Sequence, residues 1–132
     1  FAARSKRPAP FRDDKILTDW NGLMIAAMAR GSVILRDPNL ARAAANAADF
    51  LWKHLRTNGR LHHRYRAGHT AIVAFLDDYA FLTWGLIELY EATHDPRYLT
   101  RAISLTTELV RHHWDETARG FFDSASDAEA LL

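Results

Sequence analysis

Hydrophobic and polar positions along this chain sort into four helical stretches of two alternating kinds. The stretch from about Trp20 to Leu35 is apolar on nearly every side, with Leu23, Met24, Ile25, Ala26, Ala27, Met28 and Ala29 in succession. The stretch from about Asp77 to Thr93 is similar and carries Phe81, Leu82, Trp84, Leu86, Ile87, Leu89 and Tyr90. A helix that is apolar all round is expected to be buried all round. The other two stretches are amphipathic. From Asp37 to about Arg56, Leu40, Ala43, Ala44, Ala47 and Leu51 oppose Arg42, Asn46, Asp49 and Lys53. From Asp95 to about Trp114, Tyr98, Ala102, Leu105 and Leu109 oppose Arg97, Arg101, Glu108 and Arg111. The alternation predicts an all-α fold with an inner layer of wrapped helices and an outer layer half in water.

Both amphipathic stretches open on Asp-Pro, at Asp37-Pro38 and Asp95-Pro96. The Asp carboxylate accepts a bond from an orphan N–H of the first turn, and Pro needs no donor there. The two pairs lie 58 positions apart, and the same offset aligns Asp19 with Asp77 and Leu35 with Thr93. Each unit therefore reads as helix, tight turn, helix and longer loop, over about residues 16–66 and 74–122. The longer loops carry Asn58-Gly59 and Arg119-Gly120 followed by short extended runs, which predict small β-hairpins. Repeated helix pairs with inner and outer members are what an α/α toroid requires. Residues 1–15 read as a basic linker, with Arg4, Lys6, Arg7, Arg12 and Lys15, and 16–132 as a partial toroid. Two hairpins cannot by themselves cover helices that are apolar on every face. The expectation is self-association through that surface, or a place within a larger ring.

Composition narrows the chemistry. The 132 residues are 48% hydrophobic and 25% charged, in keeping with one globular domain rather than a disordered chain. The net charge is +1, so no large field of one sign is available to draw nucleic acid or a membrane surface. There is no cysteine, which excludes thiolate metal ligands, disulfides and a cysteine nucleophile within this chain. No apolar run approaches the roughly 18 residues of a membrane span. The expected location is cytoplasmic, and the lack of a starting Met suggests a segment of something longer.

Candidate chemistry gathers in the loops that enter the two apolar helices. One loop reads Arg12-Asp13-Asp14-Lys15-Ile16-Leu17-Thr18-Asp19-Trp20-Asn21-Gly22, and the other Phe75-Leu76-Asp77-Asp78-Tyr79-Ala80. In parallel inner helices these ends would share one mouth. Asp19 and Asp77 read first as helix caps. Asp14 and Asp78 are less well explained that way, and a second carboxylate beside a cap would serve as general acid or base if burial raised its pKa. Asp14, Asp77 and Asp78 are therefore the catalytic candidates. Trp20 and Tyr79 occupy nearly equivalent positions and would offer flat faces to a sugar ring or to the core. Asn21 stands beside them. The run Arg60-Leu61-His62-His63-Arg64-Tyr65-Arg66 alternates like a strand, placing His62, Arg64 and Arg66 on one face. That face would bind an acidic sugar or a phosphate, or simply lie in water. His62-His63 and His112-His113 lack chelating spacing, so no metal and no cofactor are expected.

Arg12-Asp13-Asp14-Lys15-Ile16-Leu17-Thr18, followed by Trp20-Asn21-Gly22-Leu23-Met24, resembles a motif of the spermatogenesis-associated, thioredoxin-domain-containing family, with Asp19 departing from the pattern. Phe75-Leu76-Asp77-Asp78-Tyr79-Ala80-Phe81 with Leu89-Tyr90-Glu91-Ala92-Thr93 resembles a second, and Gly120-Phe121-Phe122 with Asp127-Ala128-Glu129 a third. The resemblance implies two hairpins of a six-hairpin, glycosidase-like (α/α)6 toroid, similar to the N-acylglucosamine 2-epimerase and glycoside hydrolase folds. It implies a carbohydrate ligand at the mouth, bound among Asp14, Trp20, Asn21, Asp77, Asp78 and Tyr79 with His62 and Arg64 nearby. A hydrolase would use two of the aspartates, one protonating the leaving oxygen and one activating water or attacking. An epimerase would use a base beside a carbonyl, supplied by His62, His63 or His69. The competing expectation is a non-catalytic interaction module, whose partner would be the thioredoxin-like domain of the family.

Overall fold

A computed structural model describes residues 7–8 and 11–128. Arg4 and Lys6 of the basic leader, and Glu129 of the third motif, lie outside the described residues. The element order is β1 (Ile16–Leu17), α1 (Thr18–Leu35), α2 (Pro38–His54), β2 (Arg56–Thr57), β3 (Arg60–Arg66), β4 (His69–Val73), α3 (Leu76–Thr93), α4 (Pro96–His113), β5 (Trp114–Asp115) and β6 (Gly120–Phe121).

The repeat expected from the Asp-Pro pairs reaches the backbone. Asp37 accepts from the Asn39 N–H at 2.9 Å, and Asp95 from the Arg97 N–H at 3.0 Å. The helix before each pair ends on a left-handed residue, Arg36 at φ 53° and His94 at φ 56°. Each α-hairpin thus turns on one left-handed residue followed by a capped Asp-Pro, a stop and a start within three positions. The sheet lies at the other end of α1 and α3. Its central strand β3 pairs antiparallel with β1, β2 and β4. Two-residue turns at Asn58-Gly59 and Ala67-Gly68, with positive φ at every position, join β2 to β3 and β3 to β4. Both loop residues at positive φ is the hairpin geometry that matches strand twist.

Helices α1 and α3 run side by side in the same direction, in contact along most of their length. Glycine makes this possible. A Cβ on Gly22 would lie 2.6 Å from the Leu82 nitrogen and the Phe81 carbonyl carbon, and one on Gly85 would lie 2.7 Å from the Gly22 oxygen. Backbone therefore meets backbone at the crossing. Around it, Ile25 and Ala29 of α1 interlock with Leu82, Leu86 and Leu89 of α3. Ala44, Ala48 and Leu51 of α2 and Tyr98, Ala102 and Leu105 of α4 close the core from outside. This is the four-helix inner and outer arrangement of an (α/α)6 toroid segment with short strands.

The inner helices are not covered on every side. Met24, Val33 and Ile34 leave 58%, 61% and 72% of their surface exposed, and Ile87, Ile103 and Val110 line an open apolar groove on the α3–α4 flank. The all-round apolar pattern is satisfied on the faces toward the partner helix and the outer helices, and left open on the flanks. No described helix is long and apolar enough to cross a membrane.

The glycine crossing predicts a contrast. Gly22→Ala should destabilise the chain by about 3 kcal/mol, because the added methyl meets backbone that cannot step aside. Gly31→Ala in the same helix meets only Leu40 Cδ1 at 3.6 Å and should stabilise by up to about 1 kcal/mol through helix propensity. Urea unfolding of the two variants reads both.

Candidate functional site

The parallel α1 and α3 bring their N-termini together, with four free N–H groups at each. The residues before them, Leu17 and Phe75, are the N-caps, and neither side chain can accept a hydrogen bond. The expectation that Asp19 and Asp77 cap these helices is therefore corrected. Asp19 is the second residue of α1, and its carboxylate accepts from the Trp20 N–H at 2.7 Å. Asp77 is exposed. Asp78, three residues past the cap, does the work for both helices. Its Oδ2 accepts from the Phe75 N–H at 2.8 Å, and its Oδ1 from the Asp19 N–H across the helix pair at 3.0 Å.

The same carboxylate faces His63 of β3, whose Nδ1 lies 3.0 Å from Oδ1 and 3.1 Å from Oδ2. Asp78 is fully buried while His63 is half-buried, so the acid sits behind and the imidazole in front. Burial pushes the Asp78 carboxyl above the ordinary carboxylate range, against the pull of the Phe75 N–H and His63, and the Asp19 charge pushes the same way as burial. Phe75 stands edge-on against the His63 ring, at 5.3 Å between centroids. Asp19, His63 and Asp78 offer ligand atoms within 4.8 Å of one another. Every recorded contact of Asp78 there is with a donor of the protein itself.

His63 opens on a cleft of about 410 Å³ lined by Asp13, Lys15, Leu17, Trp20, Asn21, His63, Arg64 and Ile72. Trp20 is 68% exposed on its wall. Asn21 donates its Nδ2 to the Leu17 oxygen at 2.7 Å, which holds the amide against the first turn. Ile72 adopts φ 65°, a left-handed conformation that is an outlier for a β-branched residue and places strain beside the cleft.

The cleft therefore gathers Trp20, Asn21 and Arg64 from the expected residues, with Asp78 behind it. The others lie elsewhere. Asp14 is exposed and ion-paired with Arg66 at 2.6 Å, and its neighbour Asp13 lines the cleft instead. His62 turns to a separate depression with Thr57, Asn58, Arg60, Val73 and Asp127. His62, Arg64 and Arg66 alternate along one strand but do not form one site: His62 lines that depression, Arg64 the cleft, and Arg66 is paired with Asp14. Tyr79 is the clearest correction. It is fully buried, and its hydroxyl donates to Glu108 in the core. Glu108 also accepts from the Leu61 N–H at 2.9 Å and Arg56 at 3.1 Å. Burial and Glu108 push the Tyr79 phenol well above its ordinary pKa, so it stays protonated as a structural donor. His63 is the residue that strand alternation alone did not single out. The signal for it is positional: it is the β3 residue opposite the Phe75-x-x-Asp78 turn.

Comparison with known proteins agrees with this architecture. The model of glycosyl hydrolase family 9 matches residues 2–130.

The chain belongs to that family.

It is also homologous to spermatogenesis-associated protein 20 of Homo sapiens, being 35% identical to it over 142 residues, which cover 100% of this chain and 18% of that protein. The chain thus spans less than a fifth of that relative. Among solved structures, the cellobiose 2-epimerase of Spirochaeta thermophila superposes with TM-score 0.76 at 18% identity, over 83% of this chain and 29% of the other. The GH76 α-mannanase of Bacteroides thetaiotaomicron superposes with TM-score 0.73 at 17% identity, over 89% and 33%. At such identity these likenesses show the fold, a six-hairpin toroid of which this chain supplies a part.

Two measurements check the site as described. In a carboxyl-carbon NMR titration, Asp78 should titrate above the usual carboxylate range, whereas Asp127, held by Arg60, should titrate below it. With its folded pKa raised, Asp78 favours the native state at low pH, and that contribution should fall as pH rises through its folded midpoint. Tyr79→Phe should cost about 1–2 kcal/mol of stability by leaving Glu108 short of a donor. It should leave ligand binding at the cleft unchanged, because the ring belongs to the core.

Proposed function

We propose that this segment carries the sugar-binding and proton-transferring wall of a six-hairpin carbohydrate-processing domain. The observation that carries the reading is His63 held through Nδ1 by the buried Asp78, on a cleft it shares with the exposed face of Trp20. A carboxylate on one ring nitrogen sets the tautomer and frees the other nitrogen to act as acid or base. The aromatic face opposite suits the apolar face of a sugar ring. Trp20 would bind, His63 would exchange a proton with the sugar, and Asp78 would position His63.

The chemistry this favours is removal and return of a proton beside a sugar carbonyl, the step of an epimerase or isomerase. Cellobiose 2-epimerase and D-mannose isomerase are among the proteins of similar fold. Hydrolysis needs two carboxylates that both reach the glycosidic bond. Within this chain Asp78 is shielded with both oxygens engaged, Asp14 is tied to Arg66, and Asp77 does not line the cleft. A second reading is a non-catalytic module that docks a thioredoxin-like domain or another copy of itself. The exposed apolar side chains of the inner helices, Met24, Val33 and Ile34 among them, support it.

The test is incubation with glucose or mannose in heavy water. Deuterium should enter at C2, seen as loss of that proton signal. The Trp20 indole and His63 ring resonances should shift on sugar addition. His63→Gln should slow the exchange by about 10²-fold or more. Sugars that leave both resonances unmoved would overturn the reading in favour of the docking module.

A further inference from the structure

Among the described residues five arginines are half-buried: Arg56, Arg60, Arg64, Arg66 and Arg101. Four of them have a carboxylate. Arg56 meets Glu108 at 3.1 Å, Arg60 meets Asp127 at 2.5 Å, Arg66 meets Asp14 at 2.6 Å and Arg101 meets Asp49 at 2.5 Å. Arg64 has neither an ion pair nor a side-chain hydrogen bond among the described residues; its Nε, like those of Arg56 and Arg60, is shut from water without a partner, but it alone of the five lacks a carboxylate as well. Burying a guanidinium donor unpaired is costly unless something else comes to meet it.

Arg64 is on the wall of the His63 cleft. The other charges there are already matched. Lys15 pairs with Asp13 at 3.2 Å, and His63 faces Asp78. Arg64 is therefore the residue of the cleft whose charge has no partner among the described residues, and it shares the cleft with the exposed Trp20. A planar fork of donors is suited to grip a carboxylate or a phosphate through two bonds at once. We infer that the ligand of this cleft is an acidic sugar, a uronate or a sugar phosphate, whose ring lies on Trp20 and whose anionic group is held by Arg64. The inference rests on the sugar-binding reading above and adds the charge of the substrate and the residue that selects it.

The experiment follows the Trp20 indole and Arg64 Nε–H resonances of the intact chain by NMR. Glucose, glucuronate, glucose 6-phosphate and inorganic phosphate are titrated separately. At least one of the two acidic sugars should bind roughly tenfold or more tightly than glucose, the size expected of a charge-assisted contact. Whichever of the two binds more tightly identifies the anionic group. Arg64→Gln should erase that preference for the acidic sugar over glucose, and Arg64→Lys should restore part of it. Glucose binding as tightly as both acidic sugars would overturn the inference and leave the sugar-binding reading standing. Inorganic phosphate matching the sugar phosphate would overturn it too, since the ring would then contribute nothing. No response to any sugar would overturn both.

Discussion

The close approach of α1 and α3 is the constraint from which the rest of the molecule follows. At Gly22 and Gly85 there is no room for a side chain, so two helix backbones touch and their axes are locked in register. That register sets the N-termini side by side. It alone lets one carboxylate, Asp78, accept from its own cap residue and from the first turn of the other helix. Spread the helices by a single methyl group and the Asp19 N–H moves out of reach. Asp78 would then be a buried acid with one fewer donor, a costly state.

Asp78 is in this way both a structural staple and the holder of His63. The two roles support each other. Because two backbone N–H groups fix the carboxylate, its oxygens cannot turn away from the imidazole. Because the imidazole sits in front, the carboxylate is kept from water, and its charge is confined to the ring that faces the cleft. A site built this way draws its precision from helix ends rather than from loop side chains.

The two repeat units share a backbone but not a chemistry. Their turns match closely, with left-handed Arg36 and His94 each followed by a capped Asp-Pro. That much was legible, because capping is a local interaction between residues two apart. The inner and outer roles of the helices were legible too, since apolar periodicity records burial directly. The site was less so. Choosing Asp78 over Asp77 depends on which residue is the cap, and Phe75 has no capping chemistry to announce itself. One step along a helix turns a side chain by about 100°, enough to exchange a buried acid for an exposed one. Choosing His63 over His62 depends on the strand register of β3 against β1 and β4, a long-range fact. Trp20 and Tyr79 show the same limit. One position apart in the 58-residue repeat, one lies on the surface and the other lies in the core against Glu108, a residue of a different helix.

Glu108 explains why the second unit can bury what the first exposes. It collects the Tyr79 hydroxyl, the Leu61 N–H and the Arg56 guanidinium at one point between α4 and β3. Strand β3 is thus pinned at two places: at Leu61 by Glu108 of the outer layer, and at His63 by Asp78 of the inner layer. The two anchors lie two residues apart, one through the Leu61 backbone N–H and one through the His63 side chain. Arg64, between the His63 anchor and the Arg66–Asp14 ion pair, has no acid partner among the described residues. The charge pattern of the cleft is therefore a consequence of how the strand is fastened. The acids that meet β3 are engaged by Leu61, His63, Arg60 and Arg66, and Arg64 is the arginine of the strand left without one among the described residues.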